Sequence, residues 1–275
     1  MRRTGGPLKM AKGFDTATRL TAEKARAFAA QGFVFVGRYL DHPTSWKALS
    51  AVEAKDISEA GLYIVSLYER TASRPREGAA AGQADGRQAL AYAKQVGQPE
   101  GSTIYAAVDY DAPAADYDRI EDYMRAFDAE IDGYELGIYG SYAVCKAMYQ
   151  RGVTQKLMQT YAWSRGQVFP QNSIYQYEND ISDNGIGIDR CESNGDAGGW
   201  RVGMAVKPAA PQLSKEVAAN IIDSFLKKHW TECEAERVKA EQEGRSADAD
   251  AWEELRNWQH HLANELRAAS GLQAE

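Results

Sequence analysis

Short apolar runs alternate with amphipathic stretches along roughly the first 150 residues. The apolar runs are typical of buried β-strands; the first ends at Asp15, and the next four begin at Phe33, Leu62, Thr103 and Tyr134. The stretches between them carry apolar residues at helical spacing and begin near Thr21, Ser50, Asp85, Ala114 and Ser141. This pattern predicts five successive strand–helix units.

The pattern changes after Gln150, where three strand-like runs, "MQTYAWS", "SIYQYE" and "GIGID", are separated by loops too short for crossover helices. Repeated strand–helix units favour a parallel sheet, and eight strands allow it to close. We therefore predict an α/β protein with a TIM-like (β/α) barrel and an incomplete helical jacket. The alternative is an open doubly wound sheet, but no glycine-rich phosphate loop follows the first strand.

The segment "VKPAAPQ" has the composition of a linker and separates two predicted domains, a barrel over 1–207 and a helical region over 208–275. Apolar residues repeat at helical spacing on both sides of "EGRSAD", which predicts a helical hairpin; they are Val217, Ile221, Phe225, Trp252, Leu255, Leu262 and Leu266. We expect this hairpin either to pack on the barrel or to mediate self-association.

The net charge of −7 and the isoelectric point near 5.3 argue against a nucleic-acid partner, because phosphate binding requires clustered Lys and Arg. No apolar run is long enough to cross a membrane, so we expect no membrane insertion. The start "MRRTGGPLKMAKG" is basic but has no apolar segment after it, which predicts a cytoplasmic protein without a signal peptide.

Carboxyl groups stand at the ends of several predicted strands, where the active site of a parallel barrel lies. They belong to Asp15, Glu69, Asp109, Asp111 and Asp189. Asp109 and Asp111 are two residues apart on the fourth strand, so we expect them to point to the same side. Crowded carboxylates can divide into a protonated acid and an ionised partner, which is the arrangement that cleaves glycosidic bonds.

Aromatic and amide side chains at the same strand ends suit a cleft for sugars, because aromatic rings stack on pyranose faces and amides bind hydroxyl or acetamido groups. The candidates for substrate binding are Tyr68, Tyr139, Tyr161, Trp163, Gln176 and Tyr177. Arg38 is a further candidate, which can bind a substrate carboxylate or hold one of the site acids. The plainer interpretation is that isolated strand-end acids cap helices and that Arg38 is a buried counter-ion.

Metal and cofactor chemistry have little support in the sequence. Of the four histidines only His42 falls near a strand end, which argues against a zinc site and a Ser-His-Asp triad in the barrel. We expect no cofactor and no bound metal. The alternative is a metal-dependent hydrolase that uses the same carboxylates for Mg²⁺ or Ca²⁺.

About the first 200 residues resemble the glycoside-hydrolase-like family known as domain of unknown function 1906. The resemblance lies in "GFDTATRLTAEKARAFAAQGFVFVGRYL", "IYAAVDYD", "GIYGSYAVCKAM", "TYAWS", "IYQYEND" and "GIDRCESNG". That family is similar in fold to the glycoside hydrolase family 25 lysozymes, which cut the β-1,4 bond between N-acetylmuramic acid and N-acetylglucosamine. Members also occur in bacteriophage endolysins.

The resemblance implies a bacteriolytic peptidoglycan glycosidase of the muramidase type, whose partner is the glycan strand. The missing signal peptide fits an endolysin that reaches the wall through a holin-type pore, and it also fits a cytosolic protein with no wall contact. Asp111 stands where the lysozymes carry the Glu that protonates the leaving oxygen, and Asp109 would orient that acid or stabilise the transition state. Asp15 and Asp189 would position the sugar or tune the acids, and Glu69 can supply a longer acid. Because Asp111 is one methylene shorter than Glu, the alternative is a catalytically silent barrel that binds glycan.

Overall fold

The structure is a computed structural model that describes residues 9–194, 196–205, 213–270 and 272. The chain forms two compact units, one up to Pro208 and one from Ala209. The basic start at 1–8 and the proline-rich segment 206–212 lie outside the described residues.

The first unit is a closed barrel of eight strands in chain order. The strands are β1 (Lys9–Asp15), β2 (Phe35–Tyr39), β3 (Tyr63–Tyr68), β4 (Thr103–Ala107), β5 (Glu135–Gly140), β6 (Lys156–Thr160), β7 (Ile174–Asp183) and β8 (Ile186–Asn194). Strands β1 to β7 run parallel, whereas β8 is antiparallel to both of its neighbours. The predicted TIM-like barrel is confirmed, and its sheet differs from the favoured parallel arrangement only in the direction of β8.

The reversal of β8 has a local cause. Only Asn184 and Gly185 separate β7 from β8, and both have positive φ angles, 47° and 72°. Two left-handed residues in a two-residue loop make a tight hairpin turn, for which Asn-Gly is the favoured sequence. The chain therefore folds straight back instead of crossing over.

Helices follow the first five strands. They are α1 (Ala22–Ala30), α2 (Ala51–Glu59), α3 (Ala79–Val96), α4 (Tyr117–Asp128) and α5 (Tyr142–Gln150), with single 3₁₀ turns at Arg74–Glu77 and Ala114–Asp116. Thr21, Ser50 and Ser141 begin α1, α2 and α5 by accepting a hydrogen bond from a backbone N–H of the first turn. No helix lies between β6 and β8 in the described chain, which confirms the incomplete jacket.

The barrel interior is narrow, and glycines make room for its large side chains. A Cβ at Gly13 would lie 2.2 Å from the ring of Phe35, and one at Gly137 would lie 2.5 Å from the ring of Tyr105. Each glycine therefore lies beside an aromatic residue of the neighbouring strand. This packing fills the lower barrel and leaves the carboxyl ends of the strands for polar groups.

The second unit is helical. It contains α6 (Lys215–Ile221), one π-helical turn (Ile222–Leu226), α7 (Lys227–Gln242) and α8 (Ser246–Ser270). Helices α7 and α8 pack against each other, which confirms the predicted hairpin. Among the described helices, none is both long enough and apolar enough to cross a membrane.

Candidate active site

A cavity of about 150 Å³ opens at the carboxyl ends of the parallel strands. Its walls come from six of the eight strands and from the segments that follow two of them; the lining residues are Tyr39, Leu67, Glu69, Ala107, Asp109, Tyr139, Gln176, Asn179 and Asp189. Three carboxyl groups thus share a small, partly closed space. We refer to this cavity as the cleft.

Asp15 and Asp189 lie side by side at one wall, because β1 and β8 pair them directly. Gln176 bridges them: its Nε2 donates to Asp15 Oδ2 at 2.8 Å and to Asp189 Oδ2 at 3.2 Å. Beneath them, the Cys191 thiol donates to Asp15 Oδ2 at 3.4 Å. Asp189 was expected at the end of its strand, but it lies near the start of β8 and reaches the cleft because that strand is antiparallel.

Burial, and after it the charge of Asp189, raise the pKa of Asp15 to about 7, although the hydrogen bonds from Gln176 and Cys191 oppose the rise. Asp15 is 3% exposed and lies behind the cleft lining. The pKa of Asp189 is raised mainly by burial as well, and the Asp180 backbone N–H, which donates to Asp189 Oδ1 at 2.8 Å, limits that rise. Asp15 therefore acts on the cleft through Gln176 and Asp189.

Asp109 and Glu69 form the opposite wall, together with a lysine from the loop after β2. Lys47 Nζ lies 3.1 Å from Glu69 Oε2 and 4.6 Å from the centre of the Tyr39 ring. Burial, and after it the charge of Glu69, raise the pKa of Asp109 to about 6, although the Tyr139 hydroxyl and Lys47 oppose the rise. The wall thus pairs a carboxyl group that holds its proton up to about pH 6 with a carboxylate in an ion pair.

The structure does not bring Asp111 into the cleft. Strand β4 ends at Ala107, and the Asp109 backbone N–H donates to the Ala72 carbonyl instead of continuing the ladder. Asp111 is exposed and does not line the cavity. The expectation that Asp109 and Asp111 share one side is therefore wrong, because the strand alternation on which it rested stops before either residue.

Three predicted substrate-binding residues lie elsewhere. Arg38 is fully buried, where its Nε is 2.7 Å from Glu53 Oε1 and its guanidinium donates to the Thr16 carbonyl. Tyr68 is 3% exposed and packs in the layer between barrel and helices. Tyr177 follows the inward-facing Gln176 and is exposed on the other side of β7. Arg38 is thus the buried counter-ion of the plainer interpretation.

The other predicted binding residues lie in or near the barrel's open end. Tyr139 and Gln176 line the cleft and are joined by a hydrogen bond of 3.1 Å from the Tyr139 hydroxyl to Gln176 Oε1. Tyr161 and Trp163 follow the end of β6 and are exposed, without lining the cavity. They are aromatic surfaces at the end of the barrel where the cleft opens.

Sequence reasoning missed Tyr39, Lys47 and Asn179. Tyr39 could have been found, because it alternates with the inward-facing Phe35 and lies at the end of the same strand. Lys47 lies in a loop with no periodic pattern, and Asn179 lies in an irregular part of β7, so neither had a sequence signal. In the described part of the chain, no three His, Cys, Asp or Glu side chains cluster closely enough to hold a metal ion.

Comparisons with known proteins agree with this architecture. Residues 26–193 match the model of the Rv2525c-like, glycoside hydrolase-like domain. The uncharacterized proteins YbfG and FadG of Bacillus subtilis are 30% and 28% identical over 215 and 162 residues, which are 68% and 54% of this chain. The chain covers only 29% and 28% of the lengths of these two relatives.

Two solved structures show the same fold. The Tat-secreted protein Rv2525c of Mycobacterium tuberculosis, in complex with L-tartrate, has a TM-score of 0.60 and 24% identity over 68% of this chain and 95% of that one. The modular autolysin LytC of Streptococcus pneumoniae has a TM-score of 0.50 and 12% identity over 66% of this chain and 46% of that one. The predicted resemblance to a glycoside-hydrolase-like family is confirmed, and the chain belongs to the Rv2525c-like family of glycoside hydrolase-like domains.

Proposed function

We propose that this protein is a glycoside hydrolase that cleaves the glycan strands of peptidoglycan, with Asp109 as the proton donor. The observation that carries the proposal is the contrast between two carboxyl groups of one wall: Asp109 has a pKa raised to about 6, and Glu69 is ion-paired with Lys47. A protonated acid beside an ionised carboxylate is what glycosidic cleavage requires.

In this mechanism Asp109 transfers its proton to the glycosidic oxygen as the bond to the anomeric carbon breaks. The electron pair of that bond leaves with the oxygen, and the positive charge that develops on the sugar is stabilised by the carboxylates of Glu69 and Asp189. Water then adds to the anomeric carbon and returns a proton to Asp109. Asp15 and Gln176 are positioning residues, since they hold Asp189.

The choice of peptidoglycan has two supports. The exposed rings of Tyr161 and Trp163 follow the strand end at the open face of the barrel, where sugars beyond the cleft can stack. The modular autolysin LytC of Streptococcus pneumoniae shares the fold. The cleft itself, at about 150 Å³, suits the reacting part of one sugar more than a whole oligosaccharide.

Purified peptidoglycan tests the proposal, with new reducing ends and product masses as the readout. We expect the wild-type protein to release reducing ends and Asp109→Asn to be slower by roughly 10²- to 10⁴-fold, the usual contribution of a general acid. Asp111→Asn is the matched control and should stay close to wild type, because that carboxylate is exposed outside the cleft. Equal activity in the Asp109 variant would contradict the assignment.

The second candidate function is glycan binding without cleavage. It is favoured by the position of Asp111, which by the family resemblance would be the acid of the lysozymes but does not line the cleft. In the same experiment this candidate predicts saturable sedimentation of the protein with peptidoglycan and no reducing ends. That result would replace the glycosidase proposal.

A further inference from the structure

Strand β7 changes which residues face the cleft. Ile174 and Gln176 are buried towards the barrel interior, but the pairing of β7 with β8 shifts between Gln176 and Glu178 and again between Glu178 and Ile181. Within the second shift Asp180 has a left-handed φ of 59°. Bulges of this kind re-aim side chains next to active sites. The side chain that they bring into the cleft lining is Asn179.

Asn179 carries an acceptor that no protein group satisfies. Its Oδ1 is buried and has no hydrogen-bond partner within the protein. The donors around the carboxylates have other partners: Gln176 Nε2 donates to Asp15 and Asp189, and the Asp180 N–H donates to Asp189. Buried acceptors normally accept a hydrogen bond, so we expect a bound ligand to supply the donor for this oxygen.

The cleft also has an apolar part. Leu67 and Ala107 line the same cavity as Asn179, and both are nearly fully buried by the protein around them. An acylamino substituent offers an N–H for the acceptor and a methyl group for an apolar surface. A hydroxyl at the same sugar carbon supplies a donor but leaves Leu67 and Ala107 without an apolar contact.

We propose that Asn179 accepts a hydrogen bond from the acylamino N–H of the substrate, and that it thereby selects N-acetylated sugars over sugars with a hydroxyl at that carbon. The inference rests on the proposed function, because it takes the cleft to be the sugar site. The residue that selects N-acetylated sugars would then lie on the bulged segment of β7 and would not be one of the residues that transfer protons.

The test compares two tetrasaccharides that differ only in this substituent, tetra-N-acetylchitotetraose and cellotetraose, by titration calorimetry. We expect the wild-type protein to bind the N-acetylated probe at least about tenfold more tightly, and Asn179→Leu to bring the two affinities close together. Asn179→Asp keeps an acceptor in place and should keep the preference. Thermal unfolding shows whether each variant is folded.

Asn184→Gly is the matched control. Asn184 also has a buried amide atom without a partner, Nδ2, but it lies in the left-handed turn between β7 and β8, where glycine fits. This variant should bind both probes as the wild type does. An unchanged affinity ratio in folded Asn179→Leu, or failure of the wild type to prefer the N-acetylated probe, would overturn the inference.

Different results would contradict the proposed glycosidase function and the proposed role of Asn179. Release of reducing ends from peptidoglycan together with an unchanged ratio in Asn179→Leu would leave the glycosidase and remove the role of Asn179. The reverse outcome, a lost preference in Asn179→Leu without any cleavage by wild type, would keep Asn179 as the selecting residue of a glycan-binding barrel.

Discussion

Asp15, Asp109 and Asp189 are chemically identical side chains at one end of the barrel, but their surroundings separate them. Asp15 is closed off behind Gln176, Asp189 accepts a backbone N–H, and Asp109 lies between the ion-paired Glu69 and the Tyr139 hydroxyl. Asp109 lines the cleft and has a pKa raised to about 6, whereas Asp15 does not line it and the backbone N–H at Asp189 limits the rise in the pKa of that carboxyl group. Its environment, more than its residue type, makes it the proton donor of the proposed reaction.

The pH dependence of the proposed cleavage should show this environment. Asp109 must be protonated to act, so kcat/KM should fall as the pH rises through about 6. Lys47 lowers the pKa of Asp109, so Lys47→Met should move this fall to higher pH, by roughly one unit or less. Measuring kcat/KM against pH for both proteins checks the prediction.

Lys55→Met is the control for this shift. Lys55 is exposed on α2, where it pairs with Glu59 at 3.7 Å, so its loss should leave the profile unchanged. A profile that moves equally in both variants would indicate a general charge effect and not the contact of Lys47 with the cleft wall.

At the scale of elements, the strands meet through pairs of one glycine and one large side chain. Gly13 faces Phe35 between β1 and β2, and Gly137 faces Tyr105 between β4 and β5. Gly37 faces Asp15 in the same way, with a Cβ position 2.6 Å from that of Asp15. The glycines thus determine how closely neighbouring strands approach and where the polar layer at the top of the barrel sits.

Gly137→Ala should therefore destabilise the barrel. The added methyl would lie 2.5 Å from the Tyr105 ring, and Tyr105 is fully buried and cannot move away. Overpacking of this kind costs about 1–3 kcal/mol of the free energy of unfolding, which urea denaturation measures. Gly187→Ala on β8 is the control, because nothing lies within 4 Å of a Cβ there. Similar losses in both variants would contradict the packing argument.

At the scale of the whole molecule, the buried carboxyl groups of the site lower the free energy of unfolding. The folded protein buries Asp15 next to Asp189. Asp109 and Glu69 lie at the opposite wall of the cleft. All three aspartates have raised pKa values, with burial as the largest cause in each. Polar groups preorganised for function commonly carry such a cost.

The sign of the pH effect follows from Asp15. Below pH 3.8, the ordinary pKa of Asp, its carboxyl is protonated in both states; between there and about 7 the unfolded chain loses the proton and the folded protein keeps it. Stability should therefore fall as the pH rises over this range and level off above it. The raised pKa corresponds to about 4 kcal/mol at the alkaline end.

Asp15→Asn removes this charge while keeping the shape and an acceptor for Gln176. We expect the variant to match the wild type near pH 4 and to be more stable by up to about 4 kcal/mol near pH 8, as measured by urea denaturation. A stability difference between variant and wild type that does not change with pH would show that burial of Asp15 is not the source of the effect.

The pattern of apolar residues was enough to predict the eight strands, the five helices between them and the helical hairpin. The spacing of apolar residues within each short segment indicates whether it forms a strand or a helix. It also placed Asp15, Asp109 and Glu69 at strand ends. The reversal of β8 was predictable too, since Asn184-Gly185 is a strong hairpin signal, but the preference for parallel units outweighed it.

Which acids meet was decided only by the tertiary structure. Strand register pairs Asp15 with Asp189, the end of β4 at Ala107 releases Asp111 to solvent, and two shifts in β7 bring Asn179 into the cleft. Arg38 is held by Glu53 of the following helix, a contact that no strand pattern contains. The sequence by itself determined the elements, because their signals are periodic and local; the site arose from register, strand ends and bulges, which depend on how distant segments pack.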